Sequence, residues 1–417
     1  MGKTLAEKIL GEHAGREVSA GEVVIVRVDV AYAQDGTGPL TVRQMQSMGI
    51  EKAFDPSRVV FFIDHASPSP RLELSNDHKF LREFGKQAGI RVSDIGNGIS
   101  HQLINEEYAA PGMVIVGADS HTCSNGAMGA FATGMGSTDV AVAMALGKTW
   151  MRVPETIKIV ASGWFPRGVY AMDLILHITG IISSSGATYK VLEFTGDALA
   201  SLPMHGRLTL SNLSVESGAK AGIFPSDTIT REHLDRLGRG QQFREVSSDA
   251  DASYERVLEV DVSALRPTVA FPHLVDNTRT IDEVGDVPIN EVWIGSSANG
   301  RLEDFQEAAR ILKGRKANPG TRLIVTPASR RILLEGMRDG TFMTLAEAGA
   351  AITDPGCGPC LGIHEGVLAD GDNCLATQPR NFKGRMGNPN SFIYLGSPAL
   401  AAATAISGKI SDPREFV

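Results

Sequence analysis

Cysteine is scarce in this chain, with four among 417 residues, and that scarcity excludes a fold stapled by disulfides. No run of about 20 apolar residues occurs, so no segment reads as a membrane-spanning helix. The first residues, Met1 to Lys8, have no apolar signal core and read instead as the start of an amphipathic helix. The cytosol is the expected compartment, with the thiols reduced. A long basic cluster is missing as well, and 48 acids against 40 bases leave a net charge of -8. Nucleic acid and anionic membrane are therefore not expected as partners. Internal repeats, low-complexity tracts and long linkers are also lacking.

What is present is the composition of a globular protein, 42% hydrophobic and 21% charged. The length is too great for a single core and points to two or three domains. Short β-branched runs at Glu22 to Val30, Arg58 to Ile63, Met113 to Gly117, Thr156 to Ala161, Glu291 to Ile294 and Arg322 to Thr326 read as strands. Helical patterns follow them, such as Ser137 to Arg152, with Ser137 as N-cap and Pro154 as stop, and Leu302 to Lys313. This alternation predicts an α/β fold, with soft boundaries near Pro154 and near Val287-Pro288.

The chemistry-bearing residues gather in loops after strands, where α/β proteins place ligands. Asp64-His65 follows one strand, and an acid beside a histidine can orient the ring and raise its basicity. Taken alone, the pair could equally be a surface turn before Pro68 and Pro70. Asp119-Ser120-His121 follows another strand, and three proton-carrying side chains in a row are harder to read as surface, although a capping Asp and a solvated His would also explain them. His101 by itself reads as structural. Arg380 and Arg385 share a glycine-containing loop and could hold a di- or tricarboxylate through bidentate guanidinium contacts; the bland reading is a solvated basic loop. Cys357-Gly358-Pro359-Cys360 lies about twenty residues upstream. This thiol pair fits a redox couple, a zinc half-site lacking its second pair, or part of an iron-sulfur ligand set whose third thiolate comes from elsewhere.

Along nearly its whole length the chain resembles the large subunit of the 3-isopropylmalate dehydratase and homoaconitase group of the aconitase superfamily. The resemblance is carried by Gln34 to Pro39, Phe62 to His65, Gly98 to Gln102, Gly117 to Asn125, Met135 to Asp139, Asn212 to Ala219, Ile294 to Arg301, the CGPC segment and Arg380 to Arg385. It implies three α/β domains of the aconitase type around a central cleft, here 1–155, 156–285 and 286–417. It also implies a [4Fe-4S] cluster and a hydro-lyase that dehydrates and rehydrates a small hydroxy di- or tricarboxylate such as 3-isopropylmalate or homocitrate. Carried over by motif, Asp64 and His65 protonate the departing hydroxyl, while His101, Asp119, Ser120 and His121 tune that proton network. Glu216, Gln34 and Asn212 contact substrate or the cluster surroundings, and Arg380 and Arg385 hold carboxylates. The swivelling domain of the superfamily has no counterpart in this sequence, which implies a separate small subunit as partner.

One departure bears on the metal. Where the group carries a cluster-binding cysteine, this chain reads Ile294-Gly295-Ser296-Ser297, and where it carries an asparagine before the arginine loop, this chain has Pro379. With Ser297 beside Cys357 and Cys360, three readings stay open: a serine-ligated cluster, a different metal centre on the two cysteines with oxygen or nitrogen ligands, or a cluster-free relative that uses its carboxylate-binding cleft for another reaction, for binding only or for nothing catalytic.

Overall fold

Val59-Val60-Phe61-Phe62 is the plainest strand pattern in the chain, a run of β-branched and aromatic side chains buried on both faces. In the computed structural model, which describes residues 2–416, it lies inside a parallel sheet of order Arg91–Ser93, Val59–Phe62, Val30–Gln34, Val114–Gly117, Phe131–Gly134. Alternation sorts its side chains. Val59 and Phe61 pack with Ala31, Ala33 and Val116 under Val42, Met45, Leu81 and Met144. Val60 and Phe62 face the other way, with Tyr32, Ile115, Leu103 and Met128. Each such phenylalanine, fully buried, contributes about 1.5–3 kcal/mol, so the register of this sheet is strongly specified.

The described residues form three further sheets. Val23–Arg27 pairs antiparallel with Lys148–Arg152. A four-stranded sheet runs Ala221–Ile223, Val191–Thr195, Thr156–Ser162, Arg256–Asp261. A seven-stranded sheet runs Thr278–Thr280, Thr268–Ala270, Phe392–Leu395, Asn373–Ala376, Glu291–Ile294, Arg322–Val325, Ala351–Ile352, and its last five strands are parallel.

The chain divides into two compact units, one of residues 1–95, 100–162 and 187–260, the other of residues 96–99, 163–186 and 261–417. The segment 156–285 is thus shared between them, and its strands at 268–280 belong to the seven-stranded sheet. The α/β class is as expected from the alternating pattern.

Two elements differ from the expectation. The helix expected over 137–152 ends at Leu146, because Gly147 turns left-handed with φ of +64° and donates its N–H to Ala143; Lys148–Arg152 is then free to be a strand. Its N-cap is Gly136 rather than Ser137. The run Glu22 to Val30 is two strands, Val23–Arg27 and Val30–Gln34, which join different sheets. Among the described residues no helix is long and apolar enough to cross a membrane.

Candidate active site

Gly117 ends the strand Val114–Gly117, and the close approach there requires glycine: a Cβ would lie 2.3 Å from Thr122 Oγ1 and 2.5 Å from the Tyr32 ring. Asp119 then caps the following 3-10 turn, Ser120–Met128, by accepting the His121 N–H at 2.8 Å. One carboxylate therefore both starts the turn and faces the site. The same logic recurs two strands away. Asp64 follows Val59–Phe62, and its two oxygens are committed: one to His65 Nδ1 at 2.8 Å, the other to the backbone N–H of Ser100 at 2.6 Å. Ser100 opens the helix Ser100–Glu107, which carries His101, so Asp64 orients one histidine directly and the other through its helix. All these residues follow the carboxyl ends of parallel strands of one sheet, where such sheets place ligands.

The four side chains His65, His101, Asp119 and His121 converge. His65 Nε2 lies 3.5 Å from Asp119 Oδ2, while His101 Nε2 and His121 Nδ1 lie 3.4 and 3.5 Å from Asp119 Oδ1. His121 Nε2 meets Glu216 Oε1 at 3.0 Å, and Gln34 Nε2 reaches Asp119 Oδ2 at 3.4 Å. The turn reading of Asp64-His65 and the solvated reading of His121 do not hold, since all three are at most 4% exposed. His101 is equally buried and belongs to the same group. Ser120 and Asp119 also line a cavity of 490 Å³ with Asp139, Trp150 and Lys220. Asn212 donates to Ser124 Oγ at 2.7 Å.

Burial of the site opposes charge, yet the charged forms prevail. His65 is pushed up to about 10, because Asp64, Asp119 and Asp35 together outweigh its desolvation. Asp119 is buried too, and the histidines around it hold it well below the usual carboxylate range. Burial raises Asp64; the proton of the Asp64–His65 pair belongs on the imidazole, where the other two carboxylates add their charge. Three residues that sequence reasoning did not single out complete the group. Asp35 accepts the N–H groups of His65 and Ala66 at 2.9 Å and meets His78 Nε2, also at 2.9 Å. Tyr32 Oη lies 3.1 Å from His101 Nδ1 and 2.8 Å from Thr122 Oγ1. An acid directly after a buried strand was a usable signal for Asp35; nothing in the sequence marks His78.

The other unit carries the remaining candidates, again at the carboxyl ends of parallel strands. Ser297 follows Glu291–Ile294, Cys357 and Cys360 follow Ala351–Ile352, and Arg380 and Arg385 follow Asn373–Ala376. The turn at Ser297 is held under strain: Ser296 has φ of +78°, uncommon for a residue with a Cβ. Thr377 Oγ1 accepts the Gly295 N–H at 2.9 Å, and the Arg301 guanidinium donates to the carbonyls of Ser297 and Ala298 at 2.7 and 2.6 Å. Arg385 Nη2 donates to Cys360 Sγ at 3.0 Å, and Cys357, Cys360 and Ser297 are all buried.

Comparison with known proteins matches the sequence to a family model described as the aconitase family (aconitate hydratase), over residues 7–288 and 277–408. The chain belongs to the aconitase family. It is 55% identical over 417 residues to the 3-isopropylmalate dehydratase large subunit of Elusimicrobium minutum, 54% identical over 419 residues to large subunit 1 of Thermotoga maritima, and 54% identical over 418 residues to large subunit 2 of Archaeoglobus fulgidus, covering 100% of both chains each time.

Aconitase-family membership implies an iron-sulfur cofactor, and clusters of this kind are held by thiolates. The donor set here is one short. Cys357 and Cys360 supply two sulfurs, whereas Ser297 offers a hydroxyl, a harder and far less acidic donor. Cys374 lies within a strand opposite Glu291, where burial raises its thiol well above the usual range, and Cys123 donates to the Asn212 carbonyl at 3.3 Å in the other unit. These residues do not make up the three-thiolate set of a cluster with one open iron.

Proposed function

We propose that this chain is the large subunit of a hydro-lyase that dehydrates, and rehydrates at the neighbouring carbon, a small hydroxy di- or tricarboxylate, with 3-isopropylmalate as the first substrate to test. The observation that carries this reading is the buried charge relay around Asp119. His65 is kept protonated between Asp64 and Asp119, which is the state a general acid needs when a hydroxyl must leave as water. In this mechanism Asp64 orients the ring through Nδ1, Nε2 delivers the proton, and Asp119 stabilises the charge before transfer. His101 and His121 return protons to the network, with Glu216 fixing the tautomer of His121 and Gln34 holding Asp119. Ser120 and Asn212 are proposed as substrate-side contacts. Arg380 and Arg385 bind the carboxylates in bidentate fashion; Arg385 exchanges its contact with Cys360 for the substrate.

The names of the relatives, large subunits, support a small swivel-domain partner that completes the site. A cytosolic location goes with this reading, since all four cysteines are buried and outside any disulfide. A second reading, a relative with an altered metal centre on Cys357, Cys360 and Ser297 or a carboxylate-binding protein without turnover, is favoured by the missing thiolate and by Pro379, which has no side-chain donor and no backbone N–H. Mixing the anaerobically purified chain with its small subunit and 3-isopropylmalate decides between them. Appearance of an ultraviolet-absorbing alkene supports the hydro-lyase, and carboxylate-dependent thermal stabilisation with no alkene from any hydroxy diacid overturns it.

A further inference from the structure

We infer that the outer face of the ribbon formed by Val23–Arg27 and Lys148–Arg152 is the docking surface for the small subunit, which meets it with an apolar segment flanked by carboxylates. This rests on the heteromer proposed above. The register defines the face. Val23 lies opposite Arg152, Ile25 opposite Trp150 and Arg27 opposite Lys148, and alternation turns these six side chains outward on both strands. Between them, Val24, Val26 and Met151 are buried with Leu5, Ile9 and Leu10 of the helix Leu5–Ala14. A one-residue slip would expose that buried set, so the ribbon is held with its outer face in solvent.

The makeup of that face is unlike a solvated one, where polar residues alternate with the buried set. Its centre is apolar: Val23 is 66% exposed, Ile25 60% and Trp150 48%. Arg27, Lys148 and Arg152 stand at its two ends, and none of the six residues is an acid. Arg27 and Lys148 are directly opposite each other, an unfavourable pairing on antiparallel strands until carboxylates lie over it. Among the described residues the ribbon has no third strand. An apolar centre within a charged rim is the anatomy of a protein contact, and the sign of this rim calls for a partner that brings acids.

Charge and position choose the occupant. A second copy of this chain is disfavoured, because the face laid on itself sets cations against cations with no carboxylate between them. The small subunit is favoured by continuity with the site it completes. Trp150 donates from Nε1 to Asp139 Oδ1 at 3.2 Å, and both residues line the 490 Å³ cavity that Asp119 and Ser120 also line. Arg152 extends the rim toward the same cavity, with its guanidinium 5.3 Å from the ring of Tyr189, another lining residue. A subunit seated over Trp150 therefore rests against the wall of the cavity that holds Asp119 and Ser120.

The test is association of the full chain with its small subunit, followed by sedimentation and by tryptophan fluorescence. Trp293 is fully buried and Trp164 is 71% exposed, so in a Trp164→Phe background the change on binding reports Trp150. A blue shift and protection from iodide quenching are expected. Ile25→Lys should weaken the complex about 30-fold or more, as for a central contact. Arg27→Glu with Lys148→Glu should slow association and remove much of its salt dependence, whereas Met343→Lys, at an exposed apolar residue of the other unit, should leave the affinity unchanged. Circular dichroism checks folding of each variant. A complex that keeps its affinity in Ile25→Lys, or in which Trp150 stays open to iodide, overturns the surface and leaves the heteromer standing. Protection of Trp150 that grows with the concentration of the chain alone assigns the face to a second copy and overturns the proposal as well. Absence of any complex with the wild-type chain overturns the heteromer itself, and the surface with it.

Discussion

The histidine–carboxylate group of one unit and the cysteine segment of the other are built alike and have fared differently. Both hang from the carboxyl ends of parallel strands, and both are buried. Around Asp119 each histidine has a carboxylate or phenol behind it, and the supporting carboxylates Asp35 and Asp64 are tied to backbone N–H groups. In the segment with Cys357 and Cys360, the loop at Ser297 has a strained backbone and an Arg301 clamp, and the Ser297 side chain offers a hydroxyl and not a sulfur. The first group is tied together by carboxylates and backbone N–H groups, whereas the second offers two thiols and a hydroxyl where a thiolate-held cluster with one open iron calls for three sulfurs.

The largest effect that would break the comparison concerns the intact half. His65→Gln should lower the rate of alkene formation in the reconstituted heteromer by about 10²–10⁴-fold, the range for loss of a general acid, with a smaller change in KM. A loss confined to KM would remove His65 from the proton step. Next, Asp35→Ala should destabilise the chain by about 3–5 kcal/mol, because it leaves His78 and the His65 turn without their buried partner; urea denaturation measures it.

The pH dependence of stability sharpens the same half. His65 binds its proton more tightly when folded, about 10 against 6.5. The folded chain then holds more protons than the unfolded one between those values, so this contribution is complete below about 6.5 and declines as pH rises toward about 10. The chain should lose stability over that window, and His65→Gln should flatten the loss. The smallest effect lies outside both sites. Gly147→Ala should cost more than about 1 kcal/mol, since φ is positive there and a Cβ would meet the Phe54 ring at 2.6 Å.

Most of the parallel core was legible because runs such as Val59–Phe62 and Val114–Gly117 can be little else than buried strands. The helix over 137–152 was overread because a glycine inside an apolar helical pattern is tolerated often enough to pass; here Gly147 is the stop and Trp150 lies in a strand. Of the site, Asp119, Ser120 and His121 were visible as neighbours in sequence. His78 was not, since it meets Asp35 from 43 residues away. His101 read as structural because a lone buried histidine usually is, and its partners Tyr32 and Asp119 are brought to it only by the fold. Ser297 carried meaning only through the resemblance, because a serine after a strand is ordinary until a cysteine is expected there.

Anaerobic reconstitution with iron and sulfide, comparing the wild-type chain with Ser297→Cys, tests the contrast between the two halves most directly. The wild-type chain should fall short of a full [4Fe-4S] complement and Ser297→Cys should reach it. A wild-type chain that takes up and holds the same full complement as Ser297→Cys would contradict the account that two thiols and a serine hydroxyl do not make up a cluster's ligand set.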